Sequence, residues 1–444
     1  MRTDVQATGR GGASLSSDLA QLIRGKPVSA ADLEQAALFV LDTLSCAIGA
    51  RASKPARILA KVSPLALDDV DKSSFYLGGI AHILEMDDLH RGSVTHPGSV
   101  VIPAAWAFAH RQNMGGRAFL KAVLAGYEAC TRVGMAVGKE HYRVWHNTAT
   151  CGPFGSAMAV ALLADLTPEQ TVWALGNAGT QSAGLWEFLA DGAMSKHLHT
   201  ARGAQAGLMA ARLAKEGFTG PTRILEGEKG FFKGLCPDPD PAAVLREPDA
   251  PWQLVQTSIK PWPCCRHTHP TIDAALELHR ELGGRPVARI DVGTYRAAID
   301  VCDRADPTEP YGARFSLQHC VAAAIAAGKV DAASFEAAGR AAVKDLRPLV
   351  SLRVDGQVDA AYPQSWGTVV TVETIEGKRL TASRRECKGD PGNPVTAAEL
   401  QLKAGDLMAT AGITQTRAAA FIEAVGRLAD DLPVRDLRLE ELIV

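Results

Sequence analysis

The chain has 444 residues, a formal net charge of −2, 47% hydrophobic and 22% charged residues. It is too long for one ordinary core, so two domains are expected, with the composition of a globular protein. The near-balanced charge lacks the basic footprint of a nucleic-acid or anionic-membrane binder, and neither is an expected partner.

The nine cysteines include no C-x-x-C pair, and Cys264 and Cys265 are adjacent. A reducing compartment is expected, with Cys46, Cys130 and Cys320 as small core residues. Residues 1–14 are polar, carry Asp4 and lack an apolar core stretch. They read as a disordered leader rather than a signal peptide, so the expected location is the cytoplasm. No apolar run is expected to reach membrane-spanning length.

Helical signals follow the leader. Ser29 is a candidate N-cap for an apolar-periodic segment over residues 30–50, and residues 116–137 repeat the pattern. Residues 155–166 are Ala-rich enough for close helix packing. Thr167 and Pro168 open the next helix, and residues 203–216 form another, stopped by Gly217. After about Pro261 the texture changes. Residues 288–299 and 368–386 are β-rich, the second reading as a hairpin around Glu376 and Gly377, with helical segments at 314–327 and 331–346 between them. A Gly/Pro-rich exit, KGDPGNP, returns the chain to helical patterns. The expected fold is mainly α with an α/β insertion. A helical domain built from both chain ends (15–260 and 394–444) would carry a smaller α+β lid of roughly 130 residues (261–393).

Four stretches carry the chemistry-bearing residues: HILEMDDLHRGSVTHPG (82–98), WHNTATCGPFG (145–155), DGAMSKHLHTARGAQAG (191–207) and KPWPCCRHTHPTIDAA (260–275). In the first, Glu85, Asp87 and Asp88 precede His96, an arrangement suited to a general acid/base or to solvated helix-end residues. His146, Asn147, Thr148 and Thr150 lead into a helix whose start offers N–H groups to an anion. Lys196 and Arg202 stand near a helix start, where the macrodipole disfavours cations, so a carboxylate ligand or an internal acid is expected to hold them. Lys260 sits at the change of texture, placed to clamp a carboxylate in a cleft. HExxH and other tight ligand spacings are absent, so no metal is expected. The phosphate-loop, dinucleotide and serine-hydrolase signatures are absent too.

Together these stretches, with ILEGEKGFF and KGDPGNP, resemble the MmgE/PrpD family from about Ser17 to the C-terminus. That family includes 2-methylcitrate dehydratase, cis-aconitate decarboxylase and iminodisuccinate epimerase. The resemblance implies a cleft between a helical domain and a lid, a homodimer, and no organic cofactor or metal. It places His96, His146 and Lys196 at active-site positions and Lys260 at the lid hinge. Four positions depart from the pattern. Glu85 replaces Asp, Leu89 replaces Thr, His319 replaces Tyr, and Cys265 stands near a His.

The resulting expectation is a cofactor-independent lyase, dehydratase-like, acting on a small di- or tricarboxylic acid by removing a proton next to a carboxylate. His96, His146, Lys196 and His319 are the expected catalytic groups. Glu85, Asp87, Asp88, Thr148, Arg202, Lys260 and Cys265 are the expected substrate contacts. An epimerase, a decarboxylase and a non-catalytic carboxylate-binding protein are the alternatives.

Overall fold

The structure, a computed structural model, describes residues 14–444. The expected leader thus lies outside the described residues except for Ser14, which is buried and caps the first helix by accepting from Ser17 N. The helical domain is built on α1 (Leu15–Gly25), α2 (Ala30–Ala50), α3 (Val70–Ala81), α4 (Gly98–Arg111), α5 (Gly116–Ala136), α6 (Asn147–Leu163), α7 (Pro168–Gly179) and α8 (Ser195–Lys215). Its core gathers side chains from Leu19 to Ile259 and again from Leu400 to Ile443, so both chain ends build one body.

The helix starts follow their caps. Ser29 and Asp32 form a reciprocal capping box at α2, and Thr167 and Gln170 do the same at α7 behind Pro168. Two helices begin earlier than their apolar periodicity suggests. The helix expected over 155–166 starts at Asn147 and carries Pro153 inside it, and the one expected over 203–216 starts at Ser195. Both extra turns hold polar residues of the site, which is why the period did not announce them.

Ala-rich helices bury little area per residue, so this domain relies on close approach. A Cβ on Gly155 of α6 would lie 2.7 Å from both Cys130 Cβ and Gly126 O of α5. One expectation is corrected here. The helix Ala30–Ala50 is long and apolar enough to cross a membrane by length and composition. In the fold, 78% of its apolar window is buried against neighbouring elements, so it serves as a core helix.

The second domain has its own core, drawn from Trp262 to Ala382. Its sheet contains β1 (Val287–Thr294), β2 (Val350–Val354), β3 (Thr368–Thr374) and β4 (Arg379–Arg384) in the order β2-β1-β3-β4. Strands β1 and β2 are parallel, with Ile290 opposite Val350, and the other pairs are antiparallel. The β3–β4 hairpin turns at Gly377, whose φ of +82° suits glycine. Helices α9 (His269–Leu282) and α10 (Leu317–Ala327) cover the sheet's inner face. The segment 331–346, read as one helix, is a short 3-10 turn at Ala332–Phe335 followed by Ala337–Ala342. Helices α11 (Ala397–Thr410) and α12 (Gln415–Gly426) then rejoin the first domain. A third apolar cluster, containing Leu89, Phe315 and Trp366, bridges the two domains.

Candidate active site

A cavity of about 1170 Å³ opens between the domains. Glu85, His96, His146, Lys196, Lys260 and Cys265 all line it. Each stands at an element boundary. Glu85 and His96 lie on the loop between α3 and α4, and His146 is the residue before α6. Lys196 is in the first turn of α8. Lys260 follows a two-residue ribbon in which Thr257 and Ser258 pair with His90 and Leu89. Four distant segments therefore converge at the boundaries of their elements.

Glu85 is the electrostatic hub. It is buried, and its φ of +57° is uncommon for a non-glycine residue. Lys196 Nζ donates to both carboxylate oxygens, at 2.6 and 2.8 Å. Lys260 Nζ donates to the Glu85 carbonyl at 3.0 Å and lies 3.7 Å from its Oε2. From the lid, Arg314 donates to Leu84 O at 2.9 Å and holds the same loop. Burial alone would raise the Glu85 pKa. The charges of Lys196, His82 and Lys260 outweigh it and hold the carboxyl well below its usual range.

The imidazoles are fixed from behind. His82 Nδ1–H donates to Asp87 Oδ2 at 2.6 Å. His96 Nδ1–H donates to the Asp88 carbonyl at 2.6 Å, and His96 N–H donates to Thr148 Oγ1 at 3.0 Å. These bonds set the His96 tautomer, leaving the Nε2 lone pair free. His146 Nδ1 lies 3.2 Å from His199 Nδ1, and the buried Nε2 atoms of His82 and His146 have no hydrogen-bond partner among the described residues. Burial and the neighbouring Lys260 push His96 well below the usual imidazole pKa. Burial and Lys196 do the same for His146. Both rings are therefore neutral bases at neutral pH.

Asp87, Asp88 and Thr148 do not line the cavity; they stand behind it. Asp87 steadies His82, and burial is outweighed there by His82 and Lys260, which depress its pKa. Asp88 accepts from the Tyr127 hydroxyl at 2.7 Å and from Gly98 N–H at 3.1 Å. Burial raises its carboxyl well above the usual range. A side chain at position 98 would strike Thr43, Tyr127 and Asp88, so glycine is required there.

Two expected site residues are not brought in. Arg202 is exposed and donates to Gln205. His319 lies inside the lid, where its Nε2 meets Ser334 O at 2.9 Å and its ring packs on Phe335. Its position in the first turn of α10 points it toward that packing rather than the cleft.

The family model of the MmgE/PrpD N-terminal domain matches residues 17–243, and that of the C-terminal domain matches residues 262–429. The chain belongs to the MmgE/PrpD family. Similar proteins include the cis-aconitate decarboxylase-like protein oryM of Aspergillus oryzae, 31% identical over 224 residues, covering 47% of this chain and 46% of that one. Cis-aconitate decarboxylase of Aspergillus terreus is 28% identical over 275 residues, 56% of each chain. The human cis-aconitate decarboxylase is 26% identical over 282 residues, 59% of this chain and 56% of its own. The chain spans about half the length of the curated relatives it matches.

In this MmgE/PrpD protein, His82, His96 and His146 present ring nitrogens within 4.8 Å of one another, a donor set that suits a transition metal. The ammonium groups of Lys196 and Lys260 stand beside it. After burial, the charges of Lys260 and Lys196 are what depress the His96 and His146 pKa values, and the same charges oppose a dication. Sequence reasoning gave no role to His82, His199 or Arg314. The spacing of His82 from Asp87 was a signal for the first. His199 stood in the quoted 191–207 stretch, and nothing local marked Arg314, which reaches the Glu85 loop across the fold.

Proposed function

We propose that this protein is a cofactor-independent lyase acting on a small di- or tricarboxylic acid, with loss of water as the leading reaction. The observation that supports it is one interdomain cavity lined by two buried ammonium groups, Lys196 and Lys260, and two neutral imidazoles, His96 and His146. Ammonium groups in a water-poor cleft bind carboxylates and stabilise charge that builds on them when the adjacent carbon loses its proton. His96, with Nδ1–H committed to Asp88 O, is the base that takes that proton on Nε2. The imidazolium formed on His96 returns that proton to the departing hydroxyl, while His146, a second neutral imidazole, accepts that hydroxyl's hydrogen bond. A proton taken by His96 and a hydroxide leaving as water balance the elimination and yield an alkene.

Decarboxylation is the second reading, favoured by the names of the relatives, all cis-aconitate decarboxylases or like them. It uses the same stabilised carbanion, reached by loss of CO2 and then protonated. The experiment is turnover of chelator-treated protein on 2-methylcitrate, citrate, cis-aconitate and iminodisuccinate, with products identified by mass. A mass loss of one water supports the first reading and a loss of CO2 the second. Turnover that requires an added metal would overturn cofactor independence.

A further inference from the structure

The cavity lining carries an ionic cluster and an apolar cluster. The ionic cluster comprises Glu85, Lys196 and Lys260. The other is a wall of Leu89, Val94, Val301, Phe315, Tyr362 and Trp366, all of which line the cavity. These six belong to the apolar cluster that bridges the domains, separate from either domain's own core. Leu89 and Val94 come from the helical domain and the other four from the lid. Phe315 brings the two clusters into contact, because Lys196 Nζ lies 5.4 Å from its ring centre.

Three observations set this wall apart from ordinary interdomain packing. First, the wall is not closed. Val94, Val301 and Tyr362 stay only half-buried at the cavity edge. Second, Val94 holds a φ of +50°, a conformation that a β-branched residue rarely adopts. The loop that places Glu85 in the ionic cluster thus accepts a strained backbone to set Val94 on the wall. Third, the space is large. At about 1170 Å³ it exceeds the roughly 300–1,000 Å³ that encloses a drug-sized ligand. A bare di- or tricarboxylate at the ionic cluster leaves the apolar wall against water.

We propose that the substrate carries a hydrophobic substituent, alkyl or aryl, which seats against this wall while its carboxylates meet the ionic cluster. The proposal rests on the carboxylate reading of the site given above. It makes the wall a specificity element, with binding energy drawn from apolar area removed from water.

The test is calorimetric binding of unreactive succinates bearing hydrogen, methyl, butyl or benzyl at carbon 2. The expected result is affinity rising about three- to fourfold per added methylene up to butyl, and a benzyl compound tighter than methyl. Val301→Asn should remove most of that gain, with Val301→Ser as a milder second variant, while plain succinate binds within twofold of the unaltered protein. Affinity that is flat or falls across methyl, butyl and benzyl alike, with succinate still bound through Lys196, would overturn the apolar subsite alone. Failure of every acid to bind, succinate included, would overturn the carboxylate reading and this proposal with it. A benzyl gain without an alkyl gain would assign the wall to aryl groups and still support it.

Discussion

Lys196 donates to both carboxylate oxygens of Glu85, and neither group reaches solvent to any extent. The cation proposed to meet the substrate is therefore already balanced in the free protein. An arriving carboxylate shares or displaces this partner, so the pair stores the site's charge in a defined place. Removing one member of a buried pair leaves the other uncompensated. Glu85→Gln is expected to lower unfolding free energy by about 3–5 kcal/mol, measured by chemical denaturation. A loss under about 1 kcal/mol would show that the pair is more hydrated than its burial indicates.

His96 is held by Asp88 O and Thr148, so replacing its ring with an amide keeps the backbone anchor. His96→Gln is expected to fold with an unchanged circular dichroism spectrum and lose about 10²- to 10⁴-fold in kcat/KM. In the unaltered protein, the acid limb of the kcat/KM profile is expected below the ordinary imidazole pKa of about 6.5, because burial and Lys260 depress His96. Near-normal turnover by the variant, or an acid limb above neutrality, would remove His96 from the base role.

Stability should depend on pH in one direction. Burial holds His90 at about 4, His197 at about 3 and His267 at about 3. In the unfolded chain these imidazoles take protons near pH 6.5 or so. Between that pH and about 3–4 the unfolded state binds more protons, so stability is fully present above about 6.5 and falls with falling pH. Urea midpoints should drop steadily from pH 7 to pH 5. A midpoint that stays constant over that range would contradict the burial of these rings.

His319 marks the opposite case. It is buried in the lid, bonded to Ser334 O and packed on Phe335. His319→Gln is expected to change stability by about 1–3 kcal/mol and kcat/KM by less than about twofold. A much larger kinetic loss, with stability retained, would return His319 to the acid/base set.

These two histidines show what the sequence makes legible. His96 sits in a run with Glu85, Asp87 and Asp88, and in the fold that run closes on itself through Asp88 O. The helix caps at Ser29 and Thr167 and the hairpin at Gly377 were legible for the same reason, because each is set by neighbours within a few residues. His319 carries the same chemistry, yet its fate depends on which face of α10 meets the sheet and on Phe335. Arg202 is expected from sequence as a substrate contact, but its side chain is exposed. Arg314, by contrast, looked ordinary in sequence and reaches across the cleft to the Glu85 loop. The convergence of distant segments on one cavity is a property of packing, and no local spacing encodes it.

The central claim is proton abstraction next to a carboxylate, with Lys196 holding the charge. It is tested most directly by proton NMR in D2O, with the candidate acids added separately to the unaltered protein and to Lys196→Ala. The account predicts a new alkene signal, or deuterium in the product at the carbon next to the carboxylate, with the rate falling about 10²-fold or more in the variant. Unchanged spectra for every acid, or equal rates in the two proteins, would contradict it.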